Sequence, residues 1–237
     1  MKIWGNFTIR LLEGILLILG VVYVFIAPFF QIISIFVKPI FLVGLFSFYY
    51  ANTRKFHWKL FLSLVFVMLG EYFAAKGFIE YYYFVVLFYT GFYFFGVWLL
   101  LPVIKNTKVK KTFMDVVMIT LGAGGFLFLL FWIYHFTLSP LNQLLVDGLA
   151  LSSFVIFISC IFYITQFNKQ TKNIYIFITG IGYIVLIIGY IIYELVIKLP
   201  IILIIVNFAE IMAQFFFIKF IISRRDIIIY GKKDVML

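Results

Sequence analysis

Apolar residues in this chain come in long unbroken blocks rather than in stripes. Eight blocks run at about 11–30, 32–51, 58–75, 80–101, 114–137, 146–166, 174–193 and 200–222, and polar residues fall mostly in the gaps between them. A helix needs about 20 residues to cross an apolar bilayer core of roughly 30 Å, and each block is near that length. Membrane-spanning strands would need only about ten residues and would alternate polar with apolar positions. The run from Ile174 to Ile192 does not alternate. The pattern predicts an all-α fold: a polytopic bundle of about eight transmembrane helices, forming a single transmembrane domain over residues 1–237. The longest gaps are 102–113 and 138–145, so sequence neighbours are expected to pack mostly antiparallel. Lys2 and Arg10 precede the first block, as in a signal peptide. That block outruns a signal peptide's apolar region, and Ile26-Ala27-Pro28 is a poor cleavage sequence, so an uncleaved first span is expected.

Composition sharpens the class. Hydrophobic residues make up 66% of the chain and charged residues 12%, against about 45–50% and about 25% in soluble domains. A water-soluble globular protein, a disordered chain and a secreted disulfide scaffold are excluded. A single cysteine, Cys160, leaves no internal disulfide, zinc ribbon, Cys-x-x-Cys redox motif or c-type haem attachment. The 33 phenylalanines read as lipid-facing and packing residues.

Charge then sets orientation. Of the 19 Lys and Arg, 16 lie at the termini and in alternate gaps, the second, fourth and sixth; the other gaps hold only Lys76 and Lys198, and Lys38 lies inside the second block. This asymmetry predicts both termini in the cytoplasm and an even number of spans, in a bacterial plasma membrane. The net charge of +10 has no basic stripe interleaved with aromatics, so no nucleic-acid partner is expected. Membrane lipids are the expected partners, and oligomeric state is not readable.

Polar groups at membrane depth are costly and are functional candidates by default. Lys38 reads either as a snorkelling lysine or as a buried cation paired with a carboxylate, Glu71 in particular. Glu71 is about one turn from the outer interface, either solvated or facing a cavity. Glu210 is the deepest acid, and Asn207 and Gln214, at i−3 and i+4, share its helix face. That face is expected to line a cavity or to hold helices together. Glu194 and Lys198 are spaced for a surface pair. His135 is the only histidine near membrane depth, so bis-histidine haem ligation is not expected. Glu13, Asp115, Glu80 and Asp147 read as acids at helix N-termini. The catalytic candidates are Glu71, Glu210 and Glu194. The substrate-binding candidates are Lys38, Asn207, Gln214 and His135. No metal site and no cofactor is expected. Two carboxylates in different environments could act as acid and base on a lipid.

Other chemistries are absent. There is no Walker A motif, dinucleotide fingerprint, Gly-x-Ser-x-Gly elbow or His-Glu-x-x-His helix. Gly122-Ala123-Gly124-Gly125 lies in an apolar block and reads as a packing face. The last block has no lysine near mid-membrane for a retinal Schiff base.

Lys38-Pro39 in the second block, Leu69-Gly70-Glu71 in the third, Gly91 and Phe95 in the fourth and Ala213-Gln214 in the eighth resemble, in that order, the YhhN family. These are membrane proteins with about eight spans, and they include lysoplasmalogenases. The resemblance covers about 38–214. It implies vinyl-ether hydrolysis of lysoplasmalogens by two acidic residues, giving an aldehyde and a glycerophospho-base. Several family positions differ. The family's first Asp is Glu71 here, its fourth-span His falls near Leu99, and its seventh-span Ser-Asp falls near Gly189-Tyr190. Glu194 or Glu210 would then have to supply the second acid. Two other readings stand beside the hydrolase: a small proton- or ion-coupled transporter using Glu210 and Glu71, and a non-catalytic lipid-binding protein.

Overall fold

The structure is a computed structural model that describes residues 2–107, 125, 128, 144–167 and 173–233. Among the described residues seven helices run end to end: α1 (Lys2–Ile26), α2 (Gln31–Thr53), α3 (Trp58–Gly77), α4 (Tyr82–Asn106), α5 (Leu144–Phe167), α6 (Asn173–Leu195) and α7 (Pro200–Lys233). All seven are long and apolar enough to cross a membrane, and the described residues contain no strand. The fifth predicted span, 114–137, lies outside the described residues apart from Gly125 and Phe128. Asp115 and His135 lie there too.

Large apolar side chains such as Ile18, Phe36, Val43, Phe94 and Phe208 are exposed on the outside of the bundle. A water-soluble protein would not carry so continuous an apolar surface, and this one suits an integral membrane protein. Each helix packs on its sequence neighbour, α4 packs on α5, and α7 also touches α1, α2 and α4. Helix α7 is therefore the hub, and it carries Glu210. Its closest partner is α6. A Cβ on Gly182 of α6 would come within 2.8 Å of both the Ala209 carbonyl oxygen and the Ala213 Cβ. Only glycine allows that approach, the usual way that membrane helices pack without a hydrophobic drive between them. Thr179 Oγ1 reinforces the seam, 2.9 Å from its own helix's Tyr175 carbonyl and 3.3 Å from that of Ala213.

The two ends of the bundle differ. Helices α1, α3 and α6 finish at one end, and α2, α4, α5 and α7 begin there, around a cavity. The opposite end is closed by packing and by Arg224, whose Nη1 donates to the Leu99 carbonyl at 3.0 Å and whose Nη2 donates to His57 Nε2 at 3.3 Å. One expectation is corrected here. Glu13 does not start a helix, because α1 begins at Lys2; it sits mid-helix and pairs with Lys219 at 2.6 Å. Asp147 is in the first turn of α5, and Glu80 lies in the turn before α4.

Candidate functional site

A cavity of about 600 Å³ opens among all seven helices at the end where α4 and α5 begin. Its charged walls come from Lys38 of α2, Glu71 of α3, Glu194 of α6, Glu210 of α7 and Lys198 in the α6–α7 connection. Asn207 lines it as well, one turn before Glu210. The rest of the wall is largely apolar, with residues such as Ala27, Met68, Val86 and Leu186.

Lys38 does not snorkel. Its side chain is 1% exposed and forms an ion pair with Glu210, itself 2% exposed. Its Nζ also lies 4.5 Å from the ring centroid of Tyr23 on α1. The expected partner, Glu71, is displaced by Glu210, which lies 172 positions further along the chain than Lys38. Pro39 has no N–H for the Ile35 carbonyl one turn earlier, and both residues face the cavity. Glu210 has both oxygens engaged. Lys38 holds Oε2, and Gln214 Nε2 donates to Oε1 at 2.7 Å. Gln214 is thus one layer behind the wall and not part of it. Its own amide oxygen is buried with no hydrogen-bond partner.

Glu71 lines the cavity from α3. Tyr89 of α4 donates its hydroxyl to Glu71 Oε1. Gly70 makes this possible, since a Cβ there would stand 3.2 Å from the Tyr89 ring. The ring lies flat against α3 and aims its hydroxyl at the neighbouring carboxyl. Glu71 and Glu210 line the same cavity, close enough to act on each other electrostatically along with the Lys38 charge. Glu194 and Lys198 pair at 3.5 Å at the cavity's mouth, with the lysine 65% and the glutamate 13% exposed. The pair is a surface pair on the lysine side only.

Of the sequence-based candidates, Lys38, Glu71, Glu194, Asn207 and Glu210 line one cavity, Gln214 supports Glu210 from behind, and His135 lies outside the described residues. The sequence reading missed the tyrosines. Tyr23, Tyr89, Tyr93 and Tyr190 all line the cavity. The available signal was tyrosine in place of phenylalanine at membrane depth, because a buried hydroxyl needs a partner. Tyr89 and Tyr93, spaced i and i+4, share a face of α4. No group of three His, Cys, Asp or Glu that could hold a metal ion occurs among the described residues.

No protein-family profile matches the chain, and neither a curated protein nor a solved structure matches it.

Proposed function

We propose that this protein is a YhhN-like membrane hydrolase that cleaves a lipid vinyl ether of the lysoplasmalogen type. The observation that carries this reading is that Glu71 and Glu210 line one largely apolar cavity, with Lys38 bound to Glu210. Lys38 holds Glu210 in an ion pair, so the proton to be transferred is assigned to Glu71, whose hydrogen-bond partner is the neutral Tyr89 hydroxyl. Glu71 delivers it to the vinyl-ether carbon β to the oxygen, and the π electrons form the new C–H bond. The resulting oxocarbenium ion is stabilised by the Glu210 carboxylate, and water adds to it. Glu71, now a carboxylate, takes the proton of that water. The hemiacetal then collapses to an aldehyde and an alcohol, and the acid is restored. Tyr89 orients Glu71, Gln214 orients Glu210, and Lys198 at the mouth is placed to meet a lipid phosphate. Lys38 is buried and bound to Glu210, whereas Lys198 is 65% exposed.

The orientation follows the charge asymmetry. We take both termini to be cytoplasmic in a bacterial plasma membrane, with the cavity opening toward the outer leaflet. An eighth crossing within 107–144 is supported by α4 and α5 both starting at the cavity end. The test is aldehyde release from a lysoplasmalogen by the purified protein. Release that falls at least about 100-fold in Glu71→Gln supports the reading. No release from a folded preparation removes it.

A further inference from the structure

The charges around the cavity do not balance. Among the described lining residues, three carboxylates (Glu71, Glu194 and Glu210) face two ammonium groups, Lys38 and Lys198. Lys198 is matched by Glu194 and Lys38 by Glu210. Lys38 is not free to serve Glu71 instead, because Glu210 and the Tyr23 ring hold it. Glu71 is left with a neutral donor, Tyr89, and with a second acid as neighbour. A lone ionised carboxylate in an apolar site is strongly unfavourable. The site must therefore take up one further positive charge, which is either a proton or a bound cation.

The walls indicate which kind of cation fits. Six tyrosines line the cavity besides Tyr82: Tyr23, Tyr72, Tyr89, Tyr93, Tyr190 and Tyr193. Aromatic faces attract cations, and more strongly when the site is dry. The arrangement is already in use here, with Lys38 Nζ 4.5 Å from the Tyr23 centroid and Lys76 Nζ 4.7 Å from that of Tyr72. A hard metal ion would need a shell of six or more oxygens, whereas Glu210 and Glu194 are already paired with lysines and Glu71 is the one carboxylate left. An organic cation with apolar arms suits rings, aliphatic wall and single charge together. The cavity's about 600 Å³ is in the range that holds such a molecule.

We propose that the cavity binds one amphipathic organic monocation at Glu71 in exchange for a proton. The titratable groups in the wall besides Glu71 are Tyr23 from α1, Lys38 from α2, Tyr72 from α3, Tyr82, Tyr89 and Tyr93 from α4, Tyr190, Tyr193 and Glu194 from α6, Lys198 just after it, and Glu210 from α7. The described α5 residues in the wall, Ala150, Leu151 and Phe154, carry no titratable side chain. Proton and cation then compete for one carboxyl, which is the elementary step of proton-linked cation exchange. The inference shares its cavity with the hydrolytic reading but requires no turnover, so each can fail without the other.

The probe is tetraphenylphosphonium, which has no vinyl ether to hydrolyse. Its binding to the purified protein in detergent is measured by titration calorimetry in buffers of different ionisation enthalpy, from acidic to alkaline pH. The expected result is release of about one proton per cation bound, with affinity rising about tenfold per pH unit until the site is fully deprotonated. Glu71→Gln should abolish the proton release and weaken binding at least about tenfold. Glu13→Gln, at the other end of the bundle, should leave both unchanged. Binding without proton release overturns the proposal. So does equal affinity for the neutral analogue triphenylphosphine oxide, or no binding by a folded preparation. The wild-type proton count and the neutral analogue decide the matter even if Glu71→Gln fails to fold.

Discussion

Glu210 of α7 meets Lys38 of α2 with side chains 2% and 1% exposed, whereas Lys219 of the same helix meets Glu13 of α1 with side chains 26% and 33% exposed. Both pairs tie α7 to the first two helices, and their chemistry should diverge. In the half-exposed pair, screening and side-chain entropy offset most of the attraction. In the buried pair, each charge is tolerable only because the other is present. The buried pair also borders the cavity, with a third charged group, Glu71, in the same wall. Position in the dielectric, rather than the pairing itself, separates a functional candidate from a surface contact.

Lys38→Met should break the comparison most severely. It strands Glu210 in the bundle and should cost about 3–5 kcal/mol, read as a large drop in the midpoint of thermal unfolding in detergent. The double variant Lys38→Met/Glu210→Met should recover most of that loss without recovering activity. Equal damage from the single and double variants would show that the pair is not a closed unit. Glu71→Gln comes next. It keeps the side chain's shape and the Tyr89 contact, so stability should move by within about 1 kcal/mol while turnover falls at least about 100-fold. A stability loss as large as that of Lys38→Met would make Glu71 a structural residue instead.

The closed end supplies a smaller, pH-dependent effect. Burial pushes His57 below its usual 6.5, and Arg224 and Lys59 push in the same direction. Arg224 can only donate, so His57 Nε2 accepts and the ring is neutral when folded. The unfolded chain binds a proton there below about pH 6.5 and the folded chain resists it. His57 stabilisation is therefore complete above that range and is lost as pH falls through it. The unfolding midpoint should drop on mild acidification, and His57→Gln should flatten that part of the profile. Glu13→Gln should do least, about 0–1 kcal/mol, and less again at high salt.

The helices were legible because each apolar block is bilayer-length and bounded by polar residues. The α7 face was legible too, since Asn207, Glu210 and Gln214 stand at helical spacing and all three prove buried. What spacing could not reveal was pairing across the bundle. Lys38 had two acids as plausible partners, and only packing of α2 against α7 selects Glu210. The same holds for Tyr89, one of 16 tyrosines, whose role depends on a glycine in a neighbouring helix. Gln214 shows the finer limit. It shares the face of Glu210, yet one turn is enough to move it from the wall of the cavity to the layer behind it.

Proton transfer from Glu71 to carbon leaves a mark that can be read directly. Hydrolysis of a lysoplasmalogen in heavy water, followed by mass spectrometry of the aldehyde, should place one solvent deuterium on the carbon next to the carbonyl. The same experiment with Glu71→Gln should yield almost no aldehyde. Aldehyde lacking that deuterium, or undiminished release by Glu71→Gln, would contradict an acid–base role for the Glu71–Glu210 pair.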